Sequence, residues 1–135
     1  MRSRTLNALS IPVAAALALA LNFMVLANDG RTRLESRLTA TSAEPLASGK
    51  AKFEMREDRV RFSTEVEDVA VAQQIEVVVA GMSLGTVAID ALGGADLNLD
   101  SRDGDTVPVL QDGDLVEVFD TNGNILILSG TLGPD

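Results

Sequence analysis

The feature that most constrains this chain is a period-two alternation of apolar and polar residues, broken every few residues by glycine, proline, asparagine or aspartate. Alternation with that period puts one side chain in two on the same face of an extended strand, and no window after residue 27 carries a helical repeat. Strands are expected at 33–40, 50–56, 59–67, 75–80, 84–90, 95–100, 106–110, 115–120 and 124–132, with turns between them. The predicted fold class is therefore all-β: an antiparallel β-sandwich, Ig-like or Greek-key, of about 7–9 short strands. Pro108 lacks a ladder donor, which assigns 106–110 to an edge or a bulge.

One hairpin can be read to the register. A two-residue turn at Glu57-Asp58 pairs Met55 with Val60 and Phe53 with Phe62 on the buried side. The same register sets Glu54 opposite Arg61 and Lys50 opposite Glu65 on the wet side, so apolar pairs and opposite charges agree. Asn122-Gly123 is the strongest turn signal for a second hairpin, and Ala80-Gly81 and Gly93-Gly94 mark further reversals.

The first 27 residues read differently. Arg2 and Arg4 precede an apolar run from Ile11 to Leu21, and Val25-Leu26-Ala27 offers a small-residue cleavage site, the pattern of a helical export signal. This predicts a signal peptide over 1–27 and a single domain over 28–135, secreted, periplasmic or otherwise extracytoplasmic after cleavage near Ala27. The competing reading is a retained anchor, the one way this chain is expected to meet a membrane. Pro12 and Asn22 interrupt the run and favour cleavage. There is no cysteine, so neither a lipid anchor on a thiol nor a disulfide is available, and the domain must stand on its core.

Composition removes whole classes of chemistry. Residues 28–135 contain no His, Cys, Trp or Tyr, and their aromatics are Phe53, Phe62 and Phe119. This excludes a Ser-His-Asp triad, a cysteine nucleophile and a zinc site of nitrogen and sulfur ligands, and leaves little for sugars or bases to stack on. Charge is uneven: 28–67 holds eight Lys/Arg and eight Asp/Glu, whereas 68–135 holds twelve acids against Arg102 alone, a net of −11. Such a surface repels nucleic acid, so no nucleic-acid partner is expected.

One segment invites a metal reading. Asp96, Asn98 and Asp100 match the opening of an EF-hand loop, with Asp103 and Asp105 close behind, and oxygen ligands favour calcium. The pattern then departs, with Ser101 where the turn glycine belongs and Val107 where a bidentate Glu is required. The plainer reading puts Leu97 and Leu99 into the core, the polar residues outward, and a turn at Asp103-Gly104. No nucleophile–base pair is visible, and the acids are expected mostly at turns and outward strand positions, in solvent.

Leu38-Thr39-Ala40, the Pro45-containing loop, Gly49-Lys50-Ala51-Lys52-Phe53 and Val60-Arg61-Phe62-Ser63-Thr64-Glu65-Val66 together resemble the front half of chordin-type (CHRD) domains. That resemblance implies a secreted β-sandwich without established catalysis. Gln73-Gln74-Ile75-Glu76-Val77 stands where such domains carry a His-rich stretch, so no metal role follows from it. The back half resembles small exported bacterial all-β proteins of unassigned function. The expectation is an exported, non-enzymatic structural or interaction module without a cofactor, acting through its surface on a protein or cell-surface partner. A calcium-binding extracellular module is the alternative and an exported hydrolase the third. The 33–40 strand could pair with a neighbouring molecule's sheet, but an ordinary first strand is expected.

Overall fold

A computed structural model describes residues 30–135; the expected signal peptide lies outside the described residues. Among the described residues, nine strands form: β1 (Arg31–Ala40), β2 (Ser48–Arg56), β3 (Arg59–Glu67), β4 (Gln74–Val79), β5 (Met82–Ala88), β6 (Ala95–Asp100), β7 (Leu115–Asp120), β8 (Ile125–Thr131) and β9 (Gly133–Pro134). Their order is β5-β4-β7-β8-β1-β2-β3-β6, with β9 also on β1, and every pair with a defined register is antiparallel. The two ends of this order, β5 and β6, approach each other, so one continuous sheet nearly closes into a barrel. A methyl added at Gly85 of β5 would already touch Leu97 of β6, 3.5 Å away. The all-β, antiparallel expectation is met.

The β2–β3 hairpin has the register its pairs dictate: Met55 faces Val60, Phe53 faces Phe62, Glu54 faces Arg61 and Lys50 faces Glu65. Phe53 and Phe62 are buried, and they stack the hairpin onto a core of Leu34, Leu38, Val66, Ile75, Val77, Val116, Val118 and Leu128. Neither Glu57 nor Asp58 takes a positive φ, so the turn closes without the left-handed backbone that Asp58 would tolerate. At Ala80-Gly81, by contrast, both residues are left-handed, with φ of 51° and 81°, as a tight hairpin turn requires.

Two bulges adjust the alternation. Val118 pairs with Leu128 but Phe119 pairs with Leu126, which leaves Ile127 as an extra residue. Ile127 and Leu128 are consequently both buried although adjacent, which strict alternation forbids. A second shift between Val77 and Val78 leaves Leu84 unpaired on β5. Leu132 then interrupts β8 and β9, whose residues line the same strand, β1.

One expectation is corrected. Residues 106–110 form no strand, because Pro108 cannot donate and the turns around Gly104 and Gly113 hold the segment in an irregular connection. Only Leu110 from this stretch is fully buried, within the core. The strand around 33–40 is central, flanked by β2 on one side and β8 and β9 on the other. Exchanging it between molecules would open the sheet in its middle.

Because the strands alternate in direction, their connections segregate to two ends. The upper end, as defined here, carries 41–47, 68–73, 89–94 and 121–124; the lower end carries 57–58, 80–81 and 101–114.

Candidate functional site

The Asp/Asn segment singled out in the sequence runs along β6 into the lower end. Leu97 and Leu99 pack on the core, while Asp96 and Asn98 face outward opposite Glu65 and Ser63 of β3. Asp100 is committed elsewhere. Its carboxylate forms a two-pronged ion pair with the Arg59 guanidinium and accepts the Arg102 N–H at 3.0 Å. The Arg59 guanidinium, followed by the backbone N–H of Arg102, holds the Asp100 pKa down at about 2. Asp105 turns back to accept the Asp100 N–H at 3.0 Å, and Asp103 ends the short 3-10 turn Ser101–Asp103. The five oxygen-bearing side chains are thus spread along a strand and a turn. Among the described residues, no group of three or more His, Cys, Asp or Glu side chains is placed to hold a metal ion.

The outer face of β1, β2, β3 and β6 carries Arg33, Lys52 and Arg61. It is a shallow hollow of about 370 Å³, but its charges are already paired. Glu54 meets Arg61 at 3.3 Å, Arg56 at 3.4 Å and Arg33 at 3.7 Å, and Lys52 meets Glu35 at 3.7 Å. Exposed pairs of this kind each contribute about 0–1 kcal/mol, and together they neutralise the face. It has the chemistry of a solvated surface.

The upper end is different. Its centre is Glu44, in the connection between β1 and β2, only 2 % exposed despite its charge. Its Oε1 accepts the Ala70 N–H at 2.8 Å, and its Oε2 accepts the N–H groups of Val71 at 2.9 Å and Ala72 at 2.8 Å. Burial alone would raise its pKa; the three backbone donors outweigh that, and the pKa is lowered. One carboxylate therefore ties the 41–47 connection to the 68–73 connection.

Further bonds extend the brace. The Val69 N–H donates to the Gly93 carbonyl at 3.0 Å, and the Ile89 N–H to the Gln73 carbonyl at 2.8 Å, joining 68–73 to 89–94. Gly93 has φ of 86°, and a Cβ there would lie 2.8 Å from the Val69 carbonyl oxygen, so only glycine permits this approach. Asp90 accepts from Leu92 at 2.8 Å and Gly94 at 2.9 Å, which shapes the 89–94 turn and lowers the Asp90 pKa. The Thr41 hydroxyl donates to the Leu126 carbonyl at 2.8 Å, and the Thr121 hydroxyl to Gln74 Oε1 at 3.0 Å. All four upper connections are thereby fixed to one another or to the sheet.

These braced connections hold large aliphatic side chains in water: Leu46 is 78 %, Val71 72 % and Leu92 90 % exposed. Each comes from a different connection, and each sits within two residues of a bond in the brace. The three have no core to reach. Loops that are rigid, apolar at their tips and polar at their roots are the usual form of a recognition surface.

Sequence reasoning placed the acids mostly at turns and outward positions in solvent; Glu44 does lie in a turn, but buried. The available signals were a lone acid next to Pro45 and Leu46, and aliphatic residues lodged inside turn-like stretches at Val71 and Leu92. No family model and no curated protein matches the chain.

Proposed function

We propose that this chain is an exported, non-enzymatic interaction module that engages a protein or cell-surface partner through its upper end. The observation that carries the reading is the brace, in which Glu44 ties 41–47 to 68–73 and backbone bonds tie 68–73 to 89–94, with Leu46, Val71 and Leu92 in solvent. Preorganised loops bind with less ordering cost, so rigidity here favours recognition. Export rests on the signal-like residues 1–27, and a two-layer sandwich, with β1 shared between layers, is the finer description of the fold proposed here.

Two properties support a non-catalytic role. Every described carboxylate whose pKa is displaced, Glu44, Asp58, Asp90 and Asp100, moves downward, away from the range of a general acid. The chain also lacks His and Cys altogether. Calcium remains the alternative, and it would have to compete with Arg59 for Asp100.

The test is site-directed photo-cross-linking of the full chain in the cells that export it, with benzoylphenylalanine placed at Leu92, Val71 or Asn98. Discrete adducts from positions 92 and 71, absent from 98 on the charged face, support the reading. No adduct at 92 or 71, or equal adducts at all three, overturns it.

A further inference from the structure

The charge around the aliphatic tips narrows the partner. The four upper connections contain Glu44, Asp68 and Asp90 and no Lys or Arg, and Glu67 and Asp120 stand at adjoining strand ends. The nearest bases, Arg37 and Lys50, lie on the side wall in a separate hollow with Glu35, Glu65 and Glu67. Glu44 and Asp90 are held ionised by backbone N–H donors, while Asp68 is exposed. The surface is therefore an apolar tip inside a purely acidic field.

We propose that the upper end binds a cationic amphipathic protein segment, one that presents aliphatic side chains flanked by Lys or Arg. The inference rests on the reading of this end as an interaction surface and adds the chemistry of what it takes. Aliphatic contacts with Leu46, Val71 and Leu92 supply burial, and the acidic surround supplies orientation and a faster encounter. A second copy of this chain is disfavoured, since it would set Asp68 and Asp90 against their own kind in a protein of net charge −9. An anionic lipid surface is disfavoured by the same repulsion.

The probe is a short amphipathic helical peptide built only of leucine and lysine, with its leucine–glutamate counterpart as control, titrated into the exported protein. The leucine–lysine peptide is expected to bind and the leucine–glutamate peptide to fail. Raising salt from about 0.1 M to about 1 M shortens the screening length from about 10 Å to about 3 Å and is expected to weaken binding about tenfold. Leu92→Ser combined with Val71→Ser is expected to weaken binding by about tenfold or more. Asp68→Asn keeps a residue that accepts the φ of 59° at that position and is expected to weaken binding about two- to threefold.

Equal binding of both peptides, or binding that strengthens with salt, overturns the charge argument. Binding that survives the Leu92/Val71 double change places the contact elsewhere and also overturns the proposal. Association with phosphatidylcholine or phosphatidylglycerol vesicles in place of the peptide, or concentration-dependent dimerisation, points to the rejected occupants. If position 92 still yields its adduct in cells while the leucine–lysine peptide neither binds nor competes, this inference fails and the interaction reading stands. If the adduct is absent, the failure lies in the earlier reading.

Discussion

Replacing Glu44 with Gln tests the brace with the least change of shape. The amide oxygen can keep the double-acceptor position of Oε2, receiving Val71 and Ala72, but the amide nitrogen must then face the Ala70 N–H, a donor against a donor. One bond is lost outright, and the two that remain lose their charge assistance. Hydrogen bonds to charged groups contribute about 1.5–3 kcal/mol against about 0.5–1.5 for neutral ones, and an orphaned donor costs about 1–3 kcal/mol. Ala70 and Val71 border solvent, so water recovers part of this, and the expected loss is about 2–4 kcal/mol. At a urea slope of about 2 kcal/mol/M, the midpoint falls by about 1–2 M. The pH dependence has a definite sign. Because the folded pKa is lowered from 4.5, the contribution of Glu44 is fully present above about pH 4.5 and fades as pH falls through the folded value. The assay is urea unfolding of wild type and Glu44→Gln from pH 7 down to pH 3, with amide exchange at 70–72 as the local readout. A difference below about 0.5 kcal/mol at pH 7, within the range of an ordinary surface change, would refute the brace. A gap that stays constant down to pH 3 would refute its electrostatic origin.

Four further outcomes follow from the same geometry. Thr64→Val should raise stability by about 1 kcal/mol in urea unfolding, since the Thr64 hydroxyl is buried with no hydrogen-bond partner and the valine keeps its shape. Gly93→Ala should lower stability and speed amide exchange at Val69, because the added methyl meets the Val69 backbone at 2.8 Å and the left-handed φ is strained for alanine. Asp100→Asn should lower the unfolding midpoint at pH 7. That gap should be full above about pH 3.8, shrink as pH falls below it, and close near pH 2, where the folded wild-type carboxylate protonates. Millimolar calcium should leave the thermal unfolding midpoint of the exported protein unchanged; an upward shift abolished by Asp96→Asn would restore the calcium reading of the Asp96–Asp105 segment.

Legibility followed locality. The β2–β3 hairpin could be read to the residue because Met55/Val60, Phe53/Phe62, Glu54/Arg61 and Lys50/Glu65 all favour one register and are close in sequence. The inward turn of Leu97 and Leu99 was equally readable, since alternation needs no knowledge of partners. The bulge at Ile127 was not, because two adjacent buried residues violate the alternation on which the reading depends. The strand expected at 106–110 failed since an apolar run specifies extension but not a partner, and Pro108 removes a donor such a partner would need. The upper end was hidden for a different reason. Glu44 and Ala72 are 28 positions apart, and a lone acid beside Pro45 and Leu46 does not name the distant N–H donors that bury it.

The use of a carboxylate at this point needs a physical reason, because charge burial is a poor route to stability. Desolvation opposes Glu44, and an apolar contact between the 41–47 and 68–73 connections could match its net contribution. An apolar contact is non-directional, however, and would draw Leu46 or Val71 inward to make it. Three N–H donors converging on two oxygens instead fix the backbone of residues 70–72 relative to residue 44 while consuming no aliphatic side chain. Gly93 does the same on the next connection by letting backbone meet backbone. The upper end thus buries Ala47, Val69 and Ala72 beneath it, but its connections are fixed to one another by polar and main-chain bonds, and Leu46, Val71 and Leu92 are left unspent. A loop cluster selected for stability alone would bury Leu46, Val71 and Leu92; one that fixes its backbone by other means keeps them available for a partner.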